Sequence, residues 1–245
     1  MASPAPPPAV PDAATAHEPS NAATAHEPLD TATAHEPLDT ATAHEPLDTA
    51  TAHVASDLPL SGAARRRLYD DVLARLGAFQ PPDAAQSAQR ERTLEFLTAH
   101  ARAVDGTYPP GHVTATGLVL SADRREVLLT LHARIGRWLE LGGHLEETDA
   151  GLADAALREA EEEGGIDGLA IAPDLFAVVV HENLPCRRAP GTDHYDLYFR
   201  LFAPPRSRPV ISHESLDLGF FGVDRLPEPL GNGVAEMVRL AVETP

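Results

Sequence analysis

The 245-residue chain contains no lysine, and it has one cysteine, one tryptophan and two methionines. All 19 basic residues are arginines, which excludes a catalytic lysine or a lysine Schiff base. The single thiol, Cys186, cannot close an internal disulfide, and one cysteine is no zinc framework. No apolar run approaches the roughly 18–20 residues of a membrane span. The N-terminus shows neither the basic region nor the apolar segment of a secretory leader, so cytoplasm is the expected location. Positive charge is also scarce. The net charge is −18, of which residues 1–57 carry nine acids and no base, leaving the remainder at −9. Such a body has no electrostatic footprint for a nucleic-acid duplex. It also repels small polyanions unless bound cations neutralise the site.

From Thr15 to His53 a nine-residue unit recurs, mostly as Thr-Ala-His-Glu-Pro-Leu-Asp-Thr-Ala. Each unit has at most one leucine (Leu29, Leu38, Leu47) and a proline that interrupts helix and strand alike, so the units have no apolar face on which to stack. Residues 1–57 are therefore expected to be a disordered tail. Its histidines, His17, His26, His35, His44 and His53, suit weak transition-metal binding less than a solubilising or tethering role.

Residues 58–104 read as a helical extension. Ser61 is placed to cap a helix with Leu68, Val72, Leu73 and Leu76 at apolar positions, stopped by Gly77. Pro81-Pro82-Asp83 opens a second helix that presents Leu94, Phe96 and Leu97 inward and ends near Arg102. The pair serves as packing, with a dimer surface or a substrate lid as the alternatives. From residue 105 onward the pattern is that of an α/β domain. It predicts strands over His112–Leu120, Glu126–His132, Phe176–His181, His194–Phe202 and Leu218–Val223, a short segment at 137–141, a helix over 150–164 and a terminal helix over Val234–Val242. Mixed strands with helices before, between and after them imply a three-layer α/β/α arrangement.

The chemistry lies between Gly142 and Ile166. Glu159, Glu162 and Glu163 fall at i, i+3 and i+4, one face of a helix, where like charges repel. A hard divalent cation turns that repulsion into binding, because it takes carboxylate oxygens. Gly142-Gly143 lets a backbone loop approach the same point. A run of acids alone is usually a solvated helix face. The glycine pair, Arg158 and the closing Gly165-Ile166 are what set this run apart.

These residues resemble the Nudix box of the Nudix hydrolase family. Its second half is matched without a gap from Arg158 to Ile166. The first half departs from it: Asp149 stands where the family has glutamate, and eight residues rather than seven separate it from Arg158. The resemblance implies a Nudix-type α/β/α sandwich with a mixed sheet over 105–245. It also implies that Glu159, Glu162, Glu163 and the carbonyl of Gly143 ligate Mg2+ or Mn2+. Arg158 then orients a glutamate, and the general base is Glu159 or a glutamate from a later loop, for which Glu214 is the candidate.

The remaining candidates are weaker. His144 adjoins the glycines and is a candidate phosphate contact, or a loop cap. Trp138 stacks on a substrate ring or packs in the core. His112, His181 and His194 are scattered at strand ends without a metal-ligand spacing, and Tyr195, Tyr198 and Phe199 read as core. The expected function is metal-dependent hydrolysis of the pyrophosphate linkage in a nucleoside diphosphate derivative. The alternatives are a Nudix-like nucleotide sensor without turnover and an isoprenoid-diphosphate isomerase. The latter needs a reactive cysteine near substrate, and Cys186 in an irregular loop argues against it. The expected partner is a small nucleotide; a homodimer is left open, and duplex nucleic acid and membrane are not expected.

Overall fold

The computed structural model describes residues 59–243, apart from 185, 187, 189, 190 and 214. The repeat tail and Glu214 thus lie outside the described residues.

Two helices come first. Helix α1 (Gly62–Ala78) begins at Ser61, whose side chain accepts from Ala64 N. It runs one residue past Gly77, because the turn closes at Phe79, whose N–H reaches Arg75 O, just ahead of Pro81 and Pro82. Leu68, Val72 and Leu76, one turn apart, are fully buried. Helix α2 (Ala84–Ala99) is capped by Asp83, which accepts from Gln86 N. It buries Leu97 fully and Leu94 and Phe96 in part.

Seven strands form one mixed sheet: β1 (Gly111–Leu120), β2 (Glu126–His132), β3 (Trp138–Leu139), β4 (Leu141–His144), β5 (Ala170–Leu184), β6 (Thr192–Phe202) and β7 (Ser215–Gly222). The order is β3-β2-β1-β6-β5, with β4 also on β1 and β7 on β2. Among the described strands, only β1 and β6 pair with each other in parallel. All ten residues of β1 are buried, as befits a strand covered on both faces. Val113, Ala115 and Val119 face a core built with α1 and with α3 (Leu152–Gly164). Leu118 and Leu120 face a second core built with α4 (Val234–Glu243). The expected α/β/α layering is thus the observed one.

One strand, β5, is far longer than the periodicity predicts. β5 extends on both sides of Phe176–His181, with register shifts between Ile171 and Leu175 and between Leu175 and Ala177 that break the alternation a sequence reader looks for. β5 is also the last strand of the order, and α2 covers its free edge. Gln86 Oε1 accepts from Val178 N at 2.8 Å, and Gln89 Oε1 accepts from Val180 N at 3.2 Å. Side-chain amides here do what a further strand would do.

Candidate active site

The helix bearing the glutamates is placed from outside itself. It begins at Leu152, two residues later than expected, and its N-cap, Gly151, has no side chain with which to cap it. Asp149 is not free to cap it either: its oxygens accept from Arg158 Nε at 2.9 Å and Nη2 at 3.1 Å, and from Glu146 N at 2.7 Å. The cap comes from α1, where Asp71 Oδ2 accepts from Leu152 N at 2.7 Å. A carboxylate there also suits the positive end of the helix dipole. The preceding loop, one residue longer than in the family pattern, is held by the same helix. Ser61 N and Oγ donate to the Glu147 carboxylate at 2.8 and 2.5 Å, and Arg67 Nη2 donates to the carbonyls of Glu147 and Asp149 at 2.8 and 2.9 Å. The helix ends at Gly165, whose φ of 59° only glycine adopts readily, with its N–H on Glu161 O.

Arg158 ties the loop to the acids. Besides Asp149, it donates to Glu159 Oε1 at 2.9 Å, to Glu162 Oε2 at 3.3 Å and to the carbonyl of His144 at 2.9 Å. The Asp149 carboxylate is 2 % exposed, so this fork is a buried ion pair that fixes the loop against the helix. Gly143 leaves room for the glutamate. A Cβ there would lie 2.6 Å from the Glu159 carboxylate, so any side chain at this position would push that carboxylate aside. Glu163 Oε2 accepts from Gly142 N at 3.1 Å. The loop glycines and the helix glutamates therefore meet, as their sequence pattern suggests. Burial pushes the Glu159 carboxyl up to about 7. Arg158 pulls it down, and Glu162 and Glu146 push it further up. Carboxylate oxygens are the donors that a hard divalent cation takes. A groove lined by Asp149, Asp154, Leu157, Arg158 and Glu162 runs along the outer flank.

Trp138 is 7 % exposed and packs edge-on against Phe221, with ring centroids 4.7 Å apart, so its ring lies in the core. Tyr195, Tyr198 and Phe199 are buried as expected. Cys186 and the histidines require a correction. His112 and His194 occupy paired positions of the parallel strands β1 and β6, and His144 closes the adjoining β4. Their rings meet, with His112 Nε2 3.1 Å from His144 Nε2. Cys186 joins them, its Sγ 3.3 Å from His144 Nε2 and 3.7 Å from His112 Nε2. Burial holds His112 down to about 4, His194 to about 3 and His144 well below its ordinary value, so all three rings are neutral at pH 7. Sequence spacing could not show this, because the pairing of β1 with β6 joins positions 82 apart. The available signal was that each histidine heads or ends a strand.

Among the described residues no helix is long and apolar enough to cross a membrane. Comparison with curated proteins returns no match. Among solved structures, the chain is similar to a NUDIX family hydrolase from Clostridium perfringens, at 20 % identity over 54 % of this chain and 96 % of that one, TM-score 0.43. It is similar to the E. coli dihydroneopterin triphosphate pyrophosphohydrolase at 22 % identity over 53 % and 94 %, TM-score 0.43. It is also similar to an ADP-ribose pyrophosphatase from Streptococcus suis at 24 % identity over 54 % and 89 %, TM-score 0.39. The family model described as NUDIX domain matches residues 110–241, more than half of the chain and the whole span from β1 into α4. The chain therefore belongs to the NUDIX family and carries a Nudix hydrolase domain.

Proposed function

We propose that this chain hydrolyses the pyrophosphate linkage of a nucleoside diphosphate joined to another group. Glu159, Glu162, Glu163 and the Gly143 carbonyl are the residues that would hold Mg2+ or Mn2+. The observation that carries this reading is the meeting of Gly143 with the Glu159 carboxylate, in a space that any Cβ would fill. A bound divalent ion supplies Lewis acidity toward phosphate oxygens and lowers the pKa of attacking water.

The chain's own groups set up the rest. Arg158 holds Glu159 and Glu162 in register with the loop through Asp149 and the His144 carbonyl, a positioning role. Glu159 is one candidate to take the proton from water, and Glu214, outside the described residues, is the other. The His144 ring is turned toward His112 and Cys186, so the part of this residue nearest the acids is its backbone.

The test is nucleotide or phosphate release from nucleoside triphosphates, ADP-ribose, dinucleoside polyphosphates and sugar nucleotides, with Mg2+ or Mn2+ and with EDTA. Metal-dependent cleavage of one class is expected, and it identifies the substrate. Thermal stabilisation by one compound without turnover would overturn hydrolysis in favour of nucleotide sensing.

A further inference from the structure

The cluster of His112, His144, Cys186 and His194 lies outside the carboxylate site, and the hydrolysis proposed above does not use it. We propose that these four side chains form a closed, tetrahedral binding site for a zinc-like divalent transition metal, separate from the oxygen-donor site of the glutamates.

The geometry carries the proposal. One ligand atom from each residue falls within 4.8 Å of all the others. Zn–N bonds of about 2.0–2.1 Å and a Zn–S bond of about 2.3 Å, at tetrahedral angles, place nitrogens about 3.3 Å apart and nitrogen and sulfur about 3.6 Å apart. The observed separations are 3.1 Å for His112 to His144, and 3.3 and 3.7 Å for Cys186 to these two. Without a metal the arrangement is poorly satisfied. The two facing Nε2 atoms can share a single proton, and the buried His194 Nε2 has no hydrogen-bond partner among the described residues. Imidazole and thiolate donors select zinc-like ions, whereas Mg2+ prefers the oxygens of the glutamates. Binding converts the Cys186 thiol to thiolate and releases its proton to solvent.

The scaffold is shaped for these rings. His112 and His194 sit side by side on the parallel pair, and a Cβ at Gly106 would fall 2.5 Å from His144 Cδ2, so glycine there leaves the ring its place. With four protein donors the site keeps no open position, which makes it structural. Its effect would be to pin the β5–β6 connection to the sheet. That connection also carries Arg188, whose Nη2 lies 3.6 Å from Glu146 Oε1, beside Glu159. The metal would thereby fix the wall of the carboxylate site.

Cys186 is the only thiol, so one spectroscopic signal reads the site. The full chain, freed of metal by dialysis against a chelator, is titrated with Co2+. A thiolate-to-cobalt charge-transfer band and the intense visible absorption of four-coordinate cobalt are expected, both abolished by Zn2+ and unaffected by excess Mg2+. Cys186→Ser should lose the charge-transfer band, which the tail histidines cannot supply, while Glu162→Gln should keep it. No such band in the wild type, or its survival in Cys186→Ser, overturns the proposal. Alkylation of the wild-type thiol does not depend on any variant folding. Zn2+ should protect it, and an equal rate with and without Zn2+ refutes the site.

Discussion

Asp71 Oδ2 accepts a hydrogen bond from Leu152 N at 2.7 Å, so a residue of the first helix caps the helix that carries the glutamates, 81 positions away. Asp71 also pairs with Arg75 at 2.8 Å, but both are about a quarter exposed and that pair adds little. Asp71→Ala should cost about 0.5–2 kcal/mol, the usual worth of a cap. Asp71→Asn, which keeps an acceptor oxygen, should recover most of it. Equal losses for both variants in chemical denaturation would argue against capping.

Glu162→Gln tests the carboxylate site. The side chain is a third exposed and accepts a long 3.3 Å bond from Arg158, so the fold should tolerate the change. Turnover should fall about 10²–10³-fold, the range seen when one charge-stabilising group is removed. Wild-type turnover, in a variant that binds metal normally, would remove Glu162 from the site.

Glu140 makes stability depend on pH. Its Oε1 is sealed from solvent without a partner among the described residues, although the residue as a whole is only half-buried. Burial pushes this carboxyl from 4.5 up to about 7, with Asp196 adding to the shift. Its folded-state value is raised, so its contribution is intact below about pH 4.5 and is lost as pH rises through about 7, by up to about 3 kcal/mol. Glu140→Gln should therefore differ little from wild type near pH 5 and be the more stable near pH 8, by roughly that amount. A melting-temperature difference that stays constant across this range would contradict the assignment.

Gln86 is 5 % exposed, and its amide oxygen serves Val178 N. Gln86→Leu, which fills the space but cannot accept, should cost about 1–3 kcal/mol by stranding a buried donor. Gln86→Glu keeps an acceptor and should cost less. Denaturation midpoints of the two variants decide the point.

What the sequence disclosed and what it hid divide along a physical line. Glu159, Glu162 and Glu163 were legible because helical spacing is local, and Gly165 because a left-handed stop leaves a mark in one residue. The start of α3, two residues later than the pattern predicts, is set from outside the segment, since Asp149 is engaged by Arg158 and the cap sits on another helix. Nothing in the pattern around Gln86 and Gln89 marks them, and the position of β5 at the end of the sheet gives them their task. The histidine–cysteine cluster was least legible. It exists only once β1 lies beside β6 in register, and no local pattern encodes a parallel pairing between distant strands.

The cover that α2 lays over β5 bears on how the chain can be divided. A fragment cut at the start of the family match, residue 110, would keep every strand yet lose the amides that occupy Val178 and Val180. It would also expose the apolar residues that Leu68, Val72 and Leu76 now shield. A bare strand edge beside an uncovered apolar face is a template for another chain. Such a fragment is expected to self-associate, whereas one that keeps both helices from Ser61 onward retains this cover.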